Sequence, residues 1–287
     1  MNDFRKITLI MALTLLSAGT IYYALRPREP EYQGKQLSIW LEEFDRWNGN
    51  TNAPVVWPLR RMGTNALPKL REMLRSEDSR FKKQLMKLTE KQSLVKFRFT
   101  PVSQRRRRAM YGCQALGPLA KAAIPELIEL LKDKDASPFA LDALIAIGPE
   151  TLPLLTEALA NNNEGIRCYA AMALGLLGSK APDAIPALIK SLKDKDLLVR
   201  CYAAKSLGQL GKEADLVVPV LIENLSDPNP NIRRYNAQAL GAFGVRAKAA
   251  VPSLLKTLDD QTKIVRLNAA IALKQIDPEA AAKAGVK

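Results

Sequence analysis

Four segments of this chain read almost as copies of one another. IRCYAAMALGLLG begins at Ile166, VRCYAAKSLGQLG at Val199, IRRYNAQALGAFG at Ile232 and VRLNAAIALKQID at Val265, so Arg167, Arg200, Arg233 and Arg266 recur every 33 residues. Pro186, Pro219 and Pro252 keep the same interval and open PALIKSLKD, PVLIENLSD and PSLLKTLDD. Three less regular copies fit the frame: NAPVVWPLRRMG from Asn52, RRRAMYGCQALG from Arg106 and SPFALDALIAIG from Ser137, followed by Pro68, Pro125 and Pro153. A period of this length marks an array of small, stacked supersecondary units.

The spacing within a unit predicts two helices. Val199, Ala203, Ala204, Leu207 and Leu210 form one stripe of a 3.6-residue helix, and Gly211 supplies a stop. In the second segment the proline is expected in the first turn, where its missing N–H costs nothing. One such hairpin cannot bury its apolar face alone, whereas stacked hairpins share a continuous core. The expected fold is therefore all-α, an α-solenoid over residues 52–277, with atypical units at both ends.

The aligned Pro, Asp, Val/Ile-Arg, Ala-Ala and Leu-Gly positions resemble the HEAT repeats, in particular the short HEAT-like repeats also found in bilin lyases. That resemblance implies arginine-headed helices on the concave side and proline-headed helices on the convex side. It also implies a ladder of aspartate and arginine between repeats, carried by Asp194/Arg200, Asp227/Arg233 and Asp260/Arg266, six residues apart in each case. Asn161 stands before Arg167 where the others have aspartate, so the ladder is expected to weaken there. EYQGKQLSIWLEEFDRW is similar to the segment that follows the membrane anchor in exported bacterial HEAT-repeat proteins. Within it Trp40, Leu41, Phe44 and Trp47 have helical spacing, and residues 37–51 are read as a capping helix.

Residues 7–25, ITLIMALTLLSAGTIYYAL, carry no charge over nineteen positions, enough helix for roughly 28 Å of hydrocarbon. Residues 1–25 are read as a signal anchor, or as a signal peptide cut near Ser17-Ala18-Gly19, and residues 26–36 as a polar linker. Lys and Arg flank both ends, so orientation is weakly encoded. The short leading segment favours placing the bulk of the chain in the periplasm or the exterior, membrane-anchored or, after cleavage, secreted.

Arg106 lies further from the aligned Asn52 than one period allows, which leaves an insertion at about 76–104. Residues 76–110 hold 11 Lys/Arg against 3 Asp/Glu, a large share of the chain's net charge of +14. Lys82, Lys83, Lys87, Arg105, Arg106, Arg107 and Arg108 are candidates for contact with an anionic lipid or envelope polymer, or else form a solvated basic face. Residues 278–287 are read as a tail.

On the arginine-headed helices, positions one, two, five and nine after the arginine fall off the apolar stripe. They nominate Phe139, Tyr169, Met172, Tyr202, Lys205, Arg234, Tyr235 and Gln238 as a stripe for binding a protein or peptide; the bland alternative is that the tyrosines fill gaps between repeats. Cys113, Cys168 and Cys201 are expected to be free thiols. The chain has no histidine, which removes Ser-His and Cys-His catalysis and the commonest metal ligand. No phosphate loop, nucleophile elbow or CxxC pair is present, so no catalytic residue, cofactor or metal is expected. Nucleic acid is disfavoured as a partner. The sequence points to a non-enzymatic interaction scaffold, with a lyase or other enzyme on HEAT-like repeats and an electrostatic surface binder as alternatives.

Overall fold

The computed structural model describes residues 29–47, 50, 54–78, 100–178 and 181–286. It opens on a two-stranded antiparallel hairpin, β1 (Glu31–Tyr32) and β2 (Lys35–Gln36), with Glu31 opposite Gln36. The helices follow in chain order: α1 (Leu37–Trp47), α2 (Val56–Met62), α3 (Leu67–Arg75), α4 (Val102–Leu116), α5 (Ile124–Leu130), α6 (Ser137–Ile147), α7 (Leu152–Ala158) and α8 (Glu164–Leu177). Then come α9 (Ile185–Ser191), α10 (Leu197–Leu210), α11 (Ala214–Glu223), α12 (Pro230–Phe243), α13 (Val251–Thr257), α14 (Lys263–Ile276) and α15 (Pro278–Lys283). From α2 to α14 the even-numbered helices carry the arginine positions; α3 to α13, odd-numbered, carry the prolines. The described residues form a helical solenoid.

Each arginine-headed helix starts and stops for local reasons. Asn163 accepts from the Ile166 N–H and Asp196 from the Leu198 and Val199 N–H groups, capping α8 and α10. Gly178 and Gly211 end the same helices at φ 59° and 56°, a conformation that side chains with a Cβ resist. Short 3-10 turns then lead into α5, α9 and α13, whose prolines fall in the first turn. In α11 that turn is itself α-helical from Ala214, so Pro219 lies inside the helix rather than at its head.

Successive arginine-headed helices pack directly on one another. Val199, Ala203, Ala204 and Leu207 are fully buried along that seam. Gly208 of α10 sets the spacing: a Cβ built there would stand 2.8 Å from the Ala239 Cα of α12. Ser206 uses the same closeness, its hydroxyl donating to the Ala171 carbonyl of α8 at 2.7 Å. Asn236 of α12 occupies a stripe position held by alanine in α8, α10 and α14, and it is fully buried.

The structure adds local detail to the mostly helical solenoid expected from the sequence. Residues 31–36, inside the expected linker, form the β hairpin. Gln33 and Gly34 at its turn have φ of 50° and 73°, which suits a tight two-residue hairpin connection. Packing holds it: Tyr32 meets Trp57 edge-on at 5.4 Å, and the Trp40 indole N–H donates to the Tyr32 carbonyl at 3.2 Å. The inserted region gives way to helix at Val102, before the arginine run. Its two flanks meet, because the Asp78 carboxylate accepts from the Val102 N–H at 3.0 Å and from Arg105 at 2.9 Å. The tail contains α15, capped by Asp277 on the Ala280 N–H and seated through buried Ala281.

The span read as an anchor, residues 1–25, lies outside the described residues. No single helix among the described residues is long and apolar enough to cross a membrane.

Candidate functional site

The arginine-headed helices present an aromatic row. Phe139 of α6, Tyr169 of α8, Tyr202 of α10 and Tyr235 of α12 occupy the same position of successive repeats, and all four are half-buried against the core. Tyr111 of α4 extends the row, its ring 5.6 Å from Phe139 and nearly perpendicular to it, and Phe44 of α1 lies 5.7 Å from Tyr111. In the repeat frame Tyr111 holds the outward position five, one helical turn from the position that carries the other rings. Burial raises the Tyr202 phenol above its usual value, with neighbouring Cys168, Tyr235 and Tyr169 adding to the effect. The hydroxyls of Tyr169, Tyr202 and Tyr235 make no hydrogen bond among the described residues.

Beside the row, Met172, Lys205 and Arg234 are half-buried and Gln238 is exposed. Two guanidinium groups lie on aromatic faces: Arg107 stands 4.9 Å from the Phe139 centroid and Arg234 4.4 Å from that of Tyr235. Position one does not belong uniformly to the open face. Cys168 and Cys201 are only 8% and 2% exposed there, whereas Leu267, on the last arginine-headed helix, is 52% exposed. In the other inner repeats that position is more open, with Arg107 and Pro138 exposed and Arg234 half-buried.

The arginine ladder is real but differently paired. Arg167 donates through Nε and Nη2 to both oxygens of Asp194, 27 residues ahead, at 2.8 and 2.9 Å. Arg233 does the same to Asp260 at 2.6 and 2.9 Å. The aspartate six residues earlier contributes its backbone carbonyl instead, as in Arg200 to Asp194, Arg233 to Asp227 and Arg266 to Asp260. Arg106 approaches Asp133 at 3.6 Å. Asn161 therefore does not weaken the arginine that follows it, since Arg167 needs only its carbonyl. Its missing carboxylate would have faced position 137, where serine replaces arginine and the buried hydroxyl has no partner among the described residues. The rung from Arg200 to Asp227 is also unformed, and the buried Arg200 Nε lacks an acceptor among the described residues.

The basic run is mostly spent inside the fold, which corrects its reading as a free anionic-surface patch. Arg105 pairs with Asp78, and Arg106 approaches Asp133. Arg108 bonds Asp45 at 2.5 and 2.9 Å and Glu42 at 3.1 Å, fastening α1 to α4. Of the four, only Arg107 has no ion pair among the described residues. Lys82, Lys83 and Lys87 lie outside the described residues. On the proline-headed side, sequence reading missed another cluster: Arg71 of α3 donates to Glu126 of α5 at 2.9 and 3.1 Å, and Arg75 reaches the same oxygen. Burial alone would raise the Glu126 carboxyl, but these hydrogen bonds hold it below its usual value.

All three thiols are free and buried, and burial pushes Cys113 up to about 12, Cys168 to about 11 and Cys201 upward as well. No group of His, Cys, Asp and Glu suited to a metal occurs among the described residues. Hollows on the proline-headed side include one of about 570 Å³ beside Arg71 and Arg75, and another of about 630 Å³ runs from Lys190, Lys193 and Lys195 to the turn at Arg167.

Comparison with known proteins agrees with this architecture. A family profile described as HEAT repeats matches residues 152–218 and again 218–284, and one described as PBS lyase HEAT-like repeat matches residues 105–133. No curated protein sequence matches the chain. Among solved structures, the complex of CpcE and CpcF of phycocyanin lyase from Nostoc sp. PCC7120 is 25% identical over 53% of this chain and 98% of the matched chain, with a TM-score of 0.48. Kap121p is 15% identical over 85% of this chain but only 29% of its own length, with a TM-score of 0.56. A second Kap121p structure, a karyopherin bound to the extreme C-terminus of the protein phosphatase Cdc14p, gives a TM-score of 0.55 at 15% identity, over 84% of this chain and 30% of its own. At that identity the likeness establishes the fold.

Proposed function

We propose that this HEAT-repeat solenoid is a non-enzymatic scaffold that binds a protein or peptide segment along the face of its arginine-headed helices. The observation that carries the reading is the aromatic row. Tyr169, Tyr202 and Tyr235 stand at one repeat position, half-buried and thus held in place, with hydroxyls unengaged by the described fold. Aromatic rings fixed in this way offer large contact area at little cost in side-chain entropy. The scaffold is held at a membrane through residues 1–25, with its bulk in the periplasm or the exterior. Support for that address is the uncharged stretch from Ile7 to Leu25.

The experiment is site-specific photo-crosslinking in the native host. A photoreactive residue replacing Tyr202 should give discrete adducts that disappear when Tyr169 and Tyr235 are both changed to Ala. The same residue at Lys190, on the proline-headed side, should give none. Equal adducts from both faces would defeat the reading. The match of residues 105–133 to PBS lyase HEAT-like repeats favours a second reading, a lyase. Its test is turnover of a bilin onto or off an acceptor protein by the purified full chain.

A further inference from the structure

The aromatic row has a sign. On α8, α10 and α12 the positions one, two, five and nine after the arginine are Cys168, Tyr169, Met172 and Leu176, then Cys201, Tyr202, Lys205 and Gln209, then Arg234, Tyr235, Gln238 and Ala242. They hold two cations and no carboxylate. Among the arginines near repeat junctions, Arg105, Arg106, Arg108, Arg167 and Arg233 face carboxylates, and Arg200 and Arg266 bond backbone carbonyls. Arg234, like Arg107, has neither among the described residues. It makes no ion pair or hydrogen bond among the described residues, its Nε is buried without an acceptor there, and its guanidinium carbon stands over the Tyr235 ring, 4.4 Å from the centroid. A stacked guanidinium of this kind is preorganised, so little rotamer freedom remains to be lost when a carboxylate arrives. Lys205 stands on the neighbouring helix, also without an ion pair among the described residues. The one acid at an equivalent outward position, Asp142, is on α6 at the far side of Tyr169, and burial raises its carboxyl above the usual range.

Resting on the binding face argued above, we infer that the segment it takes is an extended acidic peptide, with its Asp or Glu side chains over α10 and α12 against Lys205 and Arg234 and its apolar or aromatic side chains between Phe139, Tyr169 and Tyr202. Three helix-to-helix steps from Phe139 to Tyr235 measure about 27 Å, the length of about eight extended residues.

The test is selection from a random library of peptides about twelve residues long, displayed on phage, against the purified full chain. Clones eluted by competition should be enriched in Asp and Glu over the starting library. A synthetic peptide made from the leading clone should bind about tenfold more weakly to an Arg234→Gln, Lys205→Gln variant and more weakly at high salt. Circular dichroism of that variant should overlay the parent, and Lys205→Arg should retain binding. Selected peptides that are neutral or basic, depend on Tyr202 and Tyr235 but ignore Arg234→Gln, would overturn the acidic partner and leave the binding face standing. Selected peptides indifferent to Tyr202→Ala and Tyr235→Ala would overturn both. Binding to anionic vesicles lacking any peptide, with no acidic enrichment in the library, would overturn the inference in favour of a lipid surface.

Discussion

Arg167 and Asp194 lie in adjacent repeats and meet through two parallel hydrogen bonds of 2.8 and 2.9 Å, while the remaining arm of the same guanidinium closes on the carbonyls of Asn161 and Asn162. One side chain therefore fastens its own turn and the next repeat's turn together. Both partners are nearly buried, at 6% and 13% side-chain exposure. Removing either leaves the other charge unpaired at low solvent access. Arg167→Gln and Asp194→Asn should each cost about 3 kcal/mol, and the double variant should cost much less than the sum. Urea unfolding of the four proteins in a double-mutant cycle measures the coupling; additivity would contradict the bidentate pair.

The same rungs set an acid limit. The hydrogen bonds from Arg233 hold the Asp260 carboxyl below its usual range, and at Asp194 the bonds from Arg167 outweigh a burial effect that would raise it. Depressed carboxyls contribute stability that is fully present above the unfolded-chain value near 4 and is lost as pH falls through the lower folded value. Thermal stability should accordingly be flat above about pH 5 and drop below about pH 4, with a shallower drop in Arg233→Gln. Melting temperatures across a pH series check both.

Arg107 and Arg108 are neighbours in one basic run with opposite roles. Arg108 ties α1 to α4 through Asp45 and Glu42, so Arg108→Ala should cost about 1–2 kcal/mol and expose the Phe44 and Tyr111 contact. Arg107→Ala should change stability by less than about 0.5 kcal/mol. Differential scanning calorimetry separates the two, and equal effects would refute the assignment.

Asn236 stands where the repeat uses alanine. Its amide donates to the Ile232 carbonyl at 2.7 Å, but its buried oxygen has no donor among the described residues. Asn236→Ala should stabilise the chain by about 1 kcal/mol. Gly208→Ala should do the opposite. The helix-propensity gain of about 1 kcal/mol is outweighed by forcing a methyl against the Ala239 backbone, an overpacking cost of about 1–3 kcal/mol. Opposite shifts in melting temperature are the expected outcome.

The repeat frame was legible because period and apolar stripe are local properties of sequence. Val199, Ala203, Ala204 and Leu207 announce their own burial. Pairing across repeats was less legible. The six-residue spacing of Asp194 and Arg200 is visible in the chain, but the carboxylate that an arginine grips comes from the following turn, and only the stacking reveals which oxygen of each aspartate it uses. The basic run misled for a similar reason. Counting Arg105 to Arg108 shows charge, while Asp45, Glu42, Asp78 and Asp133, far apart in sequence, cancel most of it in space. The β hairpin was obscured because Glu31 to Gln36 is short and polar, and its stability comes from Trp57 and Trp40 elsewhere in the chain.

The ladder skips. Arg106 leans toward Asp133, Ser137 and Asn161 leave the next joint open, Arg167 clasps Asp194, Arg200 misses Asp227, and Arg233 clasps Asp260. Latched and unlatched joints therefore alternate along the stack: the joints beside Ser137 and Arg200 lack the ion pair that Arg106, Arg167 and Arg233 supply to theirs among the described residues.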